Sequence, residues 1–177
     1  MLQAGLFDFK RQYCQYAEYH NDKTNQAIHS VFVPTILFTS YAMVATYNPS
    51  IMWAVAAGYS TYYTILQPVI GGSAGVLVML GAAGAHAFAL NGEAWLGVNP
   101  FTVALGVHAF SWIAQFYGHG VHERRAPALL DNLLQAVVLA PLFVWSHAIF
   151  DLGFMPKLHK ELQDETDKRV AAFKAKK

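Results

Sequence analysis

From Ile28 to Tyr117 the only Asp, Glu, Lys or Arg is Glu93, and that scarcity of charge limits what the chain can fold into. A water-soluble surface of this length would carry charges every few residues. Polar Pro pairs, Asn48-Pro49, Gln67-Pro68 and Asn99-Pro100, divide the stretch into apolar runs at Ile28–Tyr47, Ile51–Leu66, Ser73–Leu90 and Phe101–Tyr117. The first is about 20 residues long, enough to cross a ~30 Å hydrocarbon core. A further run, Leu133–Phe154, is interrupted by Pro141 and carries His147 and Asp151. The pattern predicts an all-α, polytopic membrane helix bundle, with four spanning helices, a fifth Pro-broken segment and interfacial terminal helices, forming a single integral membrane domain over 1–177. Gly71-Gly72 is read as a break. Gly75, Gly81, Gly84 and Ala85 offer small surfaces for close helix contact, and Trp95 lies in a loop at the interface. The hydroxyls of α-helical segment 51–66, from Tyr59 to Thr64, imply a buried or interfacial face. Chain-wide, 55% of residues are hydrophobic and 13% charged, with a net charge of +1, so nothing recommends nucleic acid as a partner. A single cysteine, Cys14, excludes an internal disulfide and any cysteine-built metal cluster.

Charge returns at both ends. In residues 1–27, Leu6, Phe9, Tyr13, Tyr16 and Ala17 recur at helical spacing between Asp8, Lys10, Arg11 and Glu18, which predicts an amphipathic helix at the interface. No apolar core followed by a small-residue cleavage site is present, so no signal peptide is expected. His20-Asn21-Asp22-Lys23 predicts a turn or an N-cap, after which Asn25 and His29 share one helix face. The charged tail, 155–177, predicts a helix with Leu158, Leu162, Val170 and Phe173 on a weak apolar side. Basic residues gather at Lys10, Arg11 and Lys23, at Arg124 and Arg125, and in the tail. Cytoplasmic flanks are enriched in Lys and Arg, and four crossings return the chain after Tyr117 to the face of the N-terminal histidines. A full crossing by the fifth segment would carry the basic tail to the opposite face, so that segment is expected to be re-entrant.

Histidine, with eight copies, is the residue type that carries chemistry. The stretch Gln115 to Asp131, QFYGHGVHERRAPALLD, packs His119, His122 and Glu123 ahead of Arg124 and Arg125. His20 and His29 flank the start of the first span at the same depth, so two pairs can meet across the bundle, as metal sites in bundle cores do. The order HxxHE is not the HExxH of zinc metalloproteases. Elsewhere a structural role prevails: His108 as a polar packing contact within its span, His147 and Asp151 orienting one another, His159 in solvent. Arg124 and Arg125 are a basic flank or hold a substrate carboxylate, for which a guanidinium fork is suited. No phosphate loop or nucleophile elbow is present, and Cys14 has no electropositive setting. An iron-dependent lipid hydroxylase or desaturase, often with two irons, would make His108, His122 and His147 necessary. A non-catalytic metal or proton carrier would rely on His86 and His108.

Two blocks, YHNDKTNQAIHSVFVPTILF and WIAQFYGHGVHERRAPALLDNLLQAVVLAPLF followed by FDLGFMP, carry a resemblance to a known family. They resemble the fungal and bacterial membrane family of iron-dependent 2-hydroxy fatty acid dioxygenases, whose fungal member acts in fatty acid α-oxidation during phytosphingosine breakdown, a branch of sphingolipid metabolism. His20, Asn25, His29, Gln115, Gly118, His119, Glu123, Pro127, Ala128, Asp131, Asn132 and Pro141 fall on the family pattern, whereas His86, His108 and His122 do not. The resemblance implies Fe2+ held by His20, His29 and His119, with Glu123 as a fourth ligand or as a partner orienting an imidazole. It places Asn25 and Gln115 as hydrogen-bonding positions near the substrate, with Arg124 or Arg125 for its carboxylate. The substrates it implies are a 2-hydroxy fatty acid and dioxygen, with the acyl chain among the spans and in contact with membrane lipid. In a fungal host the expected membrane is the endoplasmic reticulum, and in a bacterial host the inner membrane.

Overall fold

The structure, a computed structural model, describes residues 5–123 and 137–175. The described residues are helical, with no strand among them. The helices are α1 (Phe9–Ala17), α2 (Lys23–Tyr47), α3 (Pro49–Leu66), α4 (Pro68–Leu96), α5 (Pro100–Tyr117), a π-helical turn (Gly118–Glu123), α6 (Ala140–Asp151) and α7 (Pro156–Lys174). Two of them, α2 with 25 residues and α4 with 29, are long and apolar enough to cross a membrane. Each helix start has a chemical cause. The Asp22 carboxylate accepts the N–H groups of Thr24 and Asn25, and Asn48, Gln67 and Asn99 cap α3, α4 and α5, each with Pro in the first turn. An N-cap acceptor and a Pro that has no N–H to leave unpaired are what a helix start favours.

Two expected breaks are absent. Gly71-Gly72 lies inside the first turns of α4, which starts at Pro68 and runs on to Leu96. Trp95 is therefore helical, and the connection to α5 shrinks to a turn in which Gly97 takes the left-handed C-cap (φ 71°). Gly71 is there for closeness: a Cβ at that position would stand 1.8 Å from the Tyr63 carbonyl oxygen of α3. Gly75 meets Ser60 in the same way at 3.2 Å, and the Ser60 hydroxyl donates to the Gly75 carbonyl at 3.0 Å. The α3–α4 pair is thus packed nearly backbone to backbone, as small-residue surfaces allow. α5 packs on α2, and α2 on α4.

Pro141 likewise starts a helix where an interruption was expected, standing in the first turn of α6. Twelve residues make α6, about 18 Å at 1.5 Å per residue. Its approach is pinned by α3, whose Tyr59 and Tyr63 hydroxyls donate to the carbonyls of Val137 and Val138. α1 does not lie free on a surface. It packs against α7 and α6, burying Cys14 under Leu162 with the thiol directed at the Leu162 carbonyl (3.7 Å), while Lys10 pairs with Glu161. The tail helix therefore returns to the end of the bundle that holds α1.

Candidate metal centre

His20, His29 and His119 converge from three elements: the turn after α1, the second turn of α2, and the π-helical turn after α5. One imidazole nitrogen from each lies within 4.8 Å of the other two. The rings stand edge to face, with centroids 4.5, 4.8 and 4.9 Å apart, and all three residues are buried. Backbone carbonyls fix two of the tautomers. The His20 Nδ1–H donates to the Tyr16 carbonyl at 2.9 Å and that of His29 to the Asn25 carbonyl at 2.8 Å. A carbonyl can only accept, so each Nε2 is left with its lone pair. His119 Nδ1 is buried with no hydrogen-bond partner.

Burial favours the neutral form of His20 and His119. His20 is pushed well below the usual imidazole range, first by desolvation and then by His29 and His119, and His119 is lowered by desolvation against the opposing pull of Glu123. Lone pairs that face one another in a dry site repel unless a cation or proton lies among them. The donor set therefore fits a metal ion: His20 and His29, each with the outer nitrogen bonded to a carbonyl, have the usual arrangement of metal-ligating histidine.

Glu123 stands outside this group. Its carboxylate accepts the backbone N–H groups of Asn21 (3.0 Å) and Asp22 (2.9 Å) and the Asn25 side-chain amide (3.1 Å), tying the π-helical turn to the start of α2. Gly118 lets that turn come close, since a Cβ there would sit 2.5 Å from Asn25 Oδ1. Gln115 is buried one turn before His119, and its Nε2 has no partner. Arg124 and Arg125 lie outside the described residues, as do Pro127, Ala128, Asp131 and Asn132. His122 contacts Tyr117 and takes no part in the cluster. His108 is the expected packing contact: it accepts from the Trp112 indole at 2.9 Å and so presents Nδ1–H to the Thr39 hydroxyl at 2.9 Å. His86 packs on Trp53. His147 meets the Tyr13 hydroxyl at 3.3 Å, and Asp151 acts on it through charge. His159 is half-buried, stacked on Phe150 at 4.6 Å, where solvent exposure was expected; the return of α7 onto the bundle end covers it.

A cavity of about 220 Å3 opens from the three histidines. α2 forms its floor through Val33, Ile36, Leu37, Tyr41 and Val44; Met52 and Val55 of α3 and Trp112 and Phe116 of α5 are its walls. Positions 29, 33, 36, 37, 40, 41 and 44 are one helical stripe, and His29 to Val44 corresponds to about 22 Å along the axis. Sequence reasoning missed Tyr16, whose ring stacks on His20. The i, i+4 spacing of Tyr16 and His20 was the available signal.

The described residues thus form a strongly apolar helical bundle with a buried three-histidine cluster at the head of an apolar groove. A family profile described as 2-hydroxy-palmitic acid dioxygenase Mpo1-like matches residues 6–152, and the chain belongs to the Mpo1-like family. A curated relative, the 2-hydroxy-palmitic acid dioxygenase MPO1 of Saccharomyces cerevisiae, is 40% identical over 167 residues, covering 92% of each chain. No solved structure matches.

Proposed function

We propose that the protein is an Fe2+-dependent dioxygenase that cleaves the C1–C2 bond of 2-hydroxy fatty acids, giving the fatty acid one carbon shorter and carbon dioxide. The observation that carries this reading is the junction of three metal-competent imidazoles with an apolar groove, in a chain whose yeast relative is named for 2-hydroxy-palmitic acid. The reaction balances with dioxygen as the sole co-substrate: R–CHOH–COOH and O2 give R–COOH, CO2 and H2O, with the hydroxy acid supplying all the electrons that dioxygen takes up. No external reductant is needed.

In this reading His20, His29 and His119 hold the iron, whose open positions supply sites for substrate oxygens and dioxygen. The chain's own residues do the rest. Gln115, with a free amide N–H in the groove wall, donates to the substrate head group. Glu123 and Asn25 act as positioning residues, holding the π-helical turn against α2 so that His119 faces its partners. The groove takes the acyl chain and keeps water from it. Arg124 and Arg125 stand as candidates for the substrate carboxylate. We further propose that α2 to α5 cross the membrane and that α6, too short for a ~30 Å core, enters and leaves on one face. The many large apolar side chains left uncovered on α3 to α5, Leu80, Phe110 and Ile113 among them, suit lipid contact.

The deciding experiment is to load the purified full chain with Fe2+ in lipid nanodiscs and add 2-hydroxy-palmitic acid with and without oxygen. Oxygen-dependent release of carbon dioxide and of the acid one carbon shorter is expected. Iron-loaded protein that consumes oxygen without shortening the chain would defeat the assignment.

A further inference from the structure

We infer that Tyr16 is a positioning residue of the histidine centre, aiming the His20 imidazole through its carbonyl and its ring together. This rests on the metal reading proposed above. His29 lies within α2 and His119 within the π-helical turn, where helical backbone restrains both residues. His20 follows the end of α1 in a turn, where the Ala17 carbonyl and the Gln26 side-chain amide hold its backbone. Its ring is aimed by Tyr16. The Tyr16 carbonyl accepts the His20 Nδ1–H at 2.9 Å, which selects the tautomer but still lets the ring tilt about that bond. The Tyr16 ring lies parallel to the imidazole, at 3° and 4.0 Å between centroids, and a flat face in contact removes the tilt.

Tyr16 is itself immobilised. It is 3% exposed, its ring rests on Phe143 at 4.4 Å, and its carbonyl also takes the Tyr19 N–H at 3.1 Å. That carbonyl belongs to the last turn of α1 and carries the partial negative charge of a helix C-terminus. A hydrogen bond to such an acceptor makes the imidazole a stronger donor to a cation. By contrast, the ring contacts of His29 and His119 with the other imidazoles are edge-on.

The test titrates the full chain in nanodiscs with Co2+ as a spectroscopic probe of the centre. It compares wild type, Tyr16→Phe, Tyr16→Leu and Tyr13→Leu, the last being an α1 aromatic that packs on Phe143, Phe150 and His147 instead. Wild type, Tyr16→Phe and Tyr13→Leu are expected to bind with equal affinity and the same visible bands. Tyr16→Leu keeps the carbonyl and removes only the ring, and is expected to bind about 2–10-fold more weakly, with shifted bands, the cost of losing one aromatic stacking contact. The inference is overturned if Tyr16→Leu matches wild type, if Tyr13→Leu weakens binding as much, or if Tyr16→Phe is as weak as Tyr16→Leu. Wild-type protein that binds no Co2+ refutes the metal centre itself, and this inference with it.

Discussion

At the scale of single residues, the chemistry depends on which imidazole nitrogens are not already engaged in a hydrogen bond. His108 has both nitrogens spent, on Trp112 and Thr39, whereas His20 and His29 have each spent only one. Substituting His20, His29 or His119 by Ala should abolish stoichiometric iron binding and lower turnover by more than about 100-fold, beyond the loss typical of an outer partner. His122→Ala should keep both, as read by iron content and carbon dioxide release. A pH effect follows from burial. His20 and His119 have folded-state pKa values below the ordinary imidazole value, so protons bind the unfolded chain more readily. Metal-free protein should hold its full stability above about pH 6.5 and lose it as the pH falls from there toward the folded-state values. Thermal melts of metal-free protein across that window check this; a midpoint that does not fall with pH would contradict it.

Among the elements, the backbone contact of α3 and α4 and the stripe along α2 matter most. Gly71→Ala places a methyl group against the Tyr63 carbonyl, and overpacking of this kind costs about 1–3 kcal/mol. At Gly81 nothing lies within 4 Å of a built Cβ, so Gly81→Ala should leave stability unchanged or raise it by up to about 1 kcal/mol. Melting the two variants side by side separates packing need from mere helical tolerance. The α2 stripe makes its own prediction for 2-hydroxy acids of increasing length. With about 0.8 kcal/mol per buried methylene, kcat/KM should climb roughly 4-fold per carbon until the chain fills the groove of about 22 Å, then level off. A profile flat from the shortest acids upward would mean that the groove is not the acyl site.

For the whole molecule, the decisive contact is α1 against α7, which brings the first and last described helices together at the end of the bundle that holds His20. Single cysteines replacing Lys10 and Lys157, in a Cys14→Ser background, should label from one side of a sealed vesicle. Labelling from opposite sides would rule out a non-crossing α6. Much of this architecture was legible in the residues: the uncharged runs of α2 and α5, the Asp22 cap and the pairing of N-terminal histidines with His119 all follow from periodicity, charge and capping chemistry. Helix ends were less legible at Gly71-Gly72 and at Asn91 to Gly97. Glycine there reads locally as a breaker, while close approach from outside the helix, of Tyr63 in α3 at Gly71 and of Pro100 in α5 at Gly92, requires it within a helix.

The class of the protein was legible in the chain: apolar runs of this length without charge, set between Asn-Pro and Gln-Pro pairs, read as buried or membrane helices, and three of the eight histidines are left without a packing role. Which neighbours turn toward the three histidines is decided by the way the elements meet. Glu123 and His122 are as close to His119 in sequence as Tyr16 is to His20, yet Glu123 is taken up by the N–H groups of Asn21 and Asp22 and His122 turns to Tyr117. Backbone groups left unpaired at a turn, and a π-helical turn that rotates side chains off ordinary helical spacing, are set by how the elements meet. No local pattern specifies them.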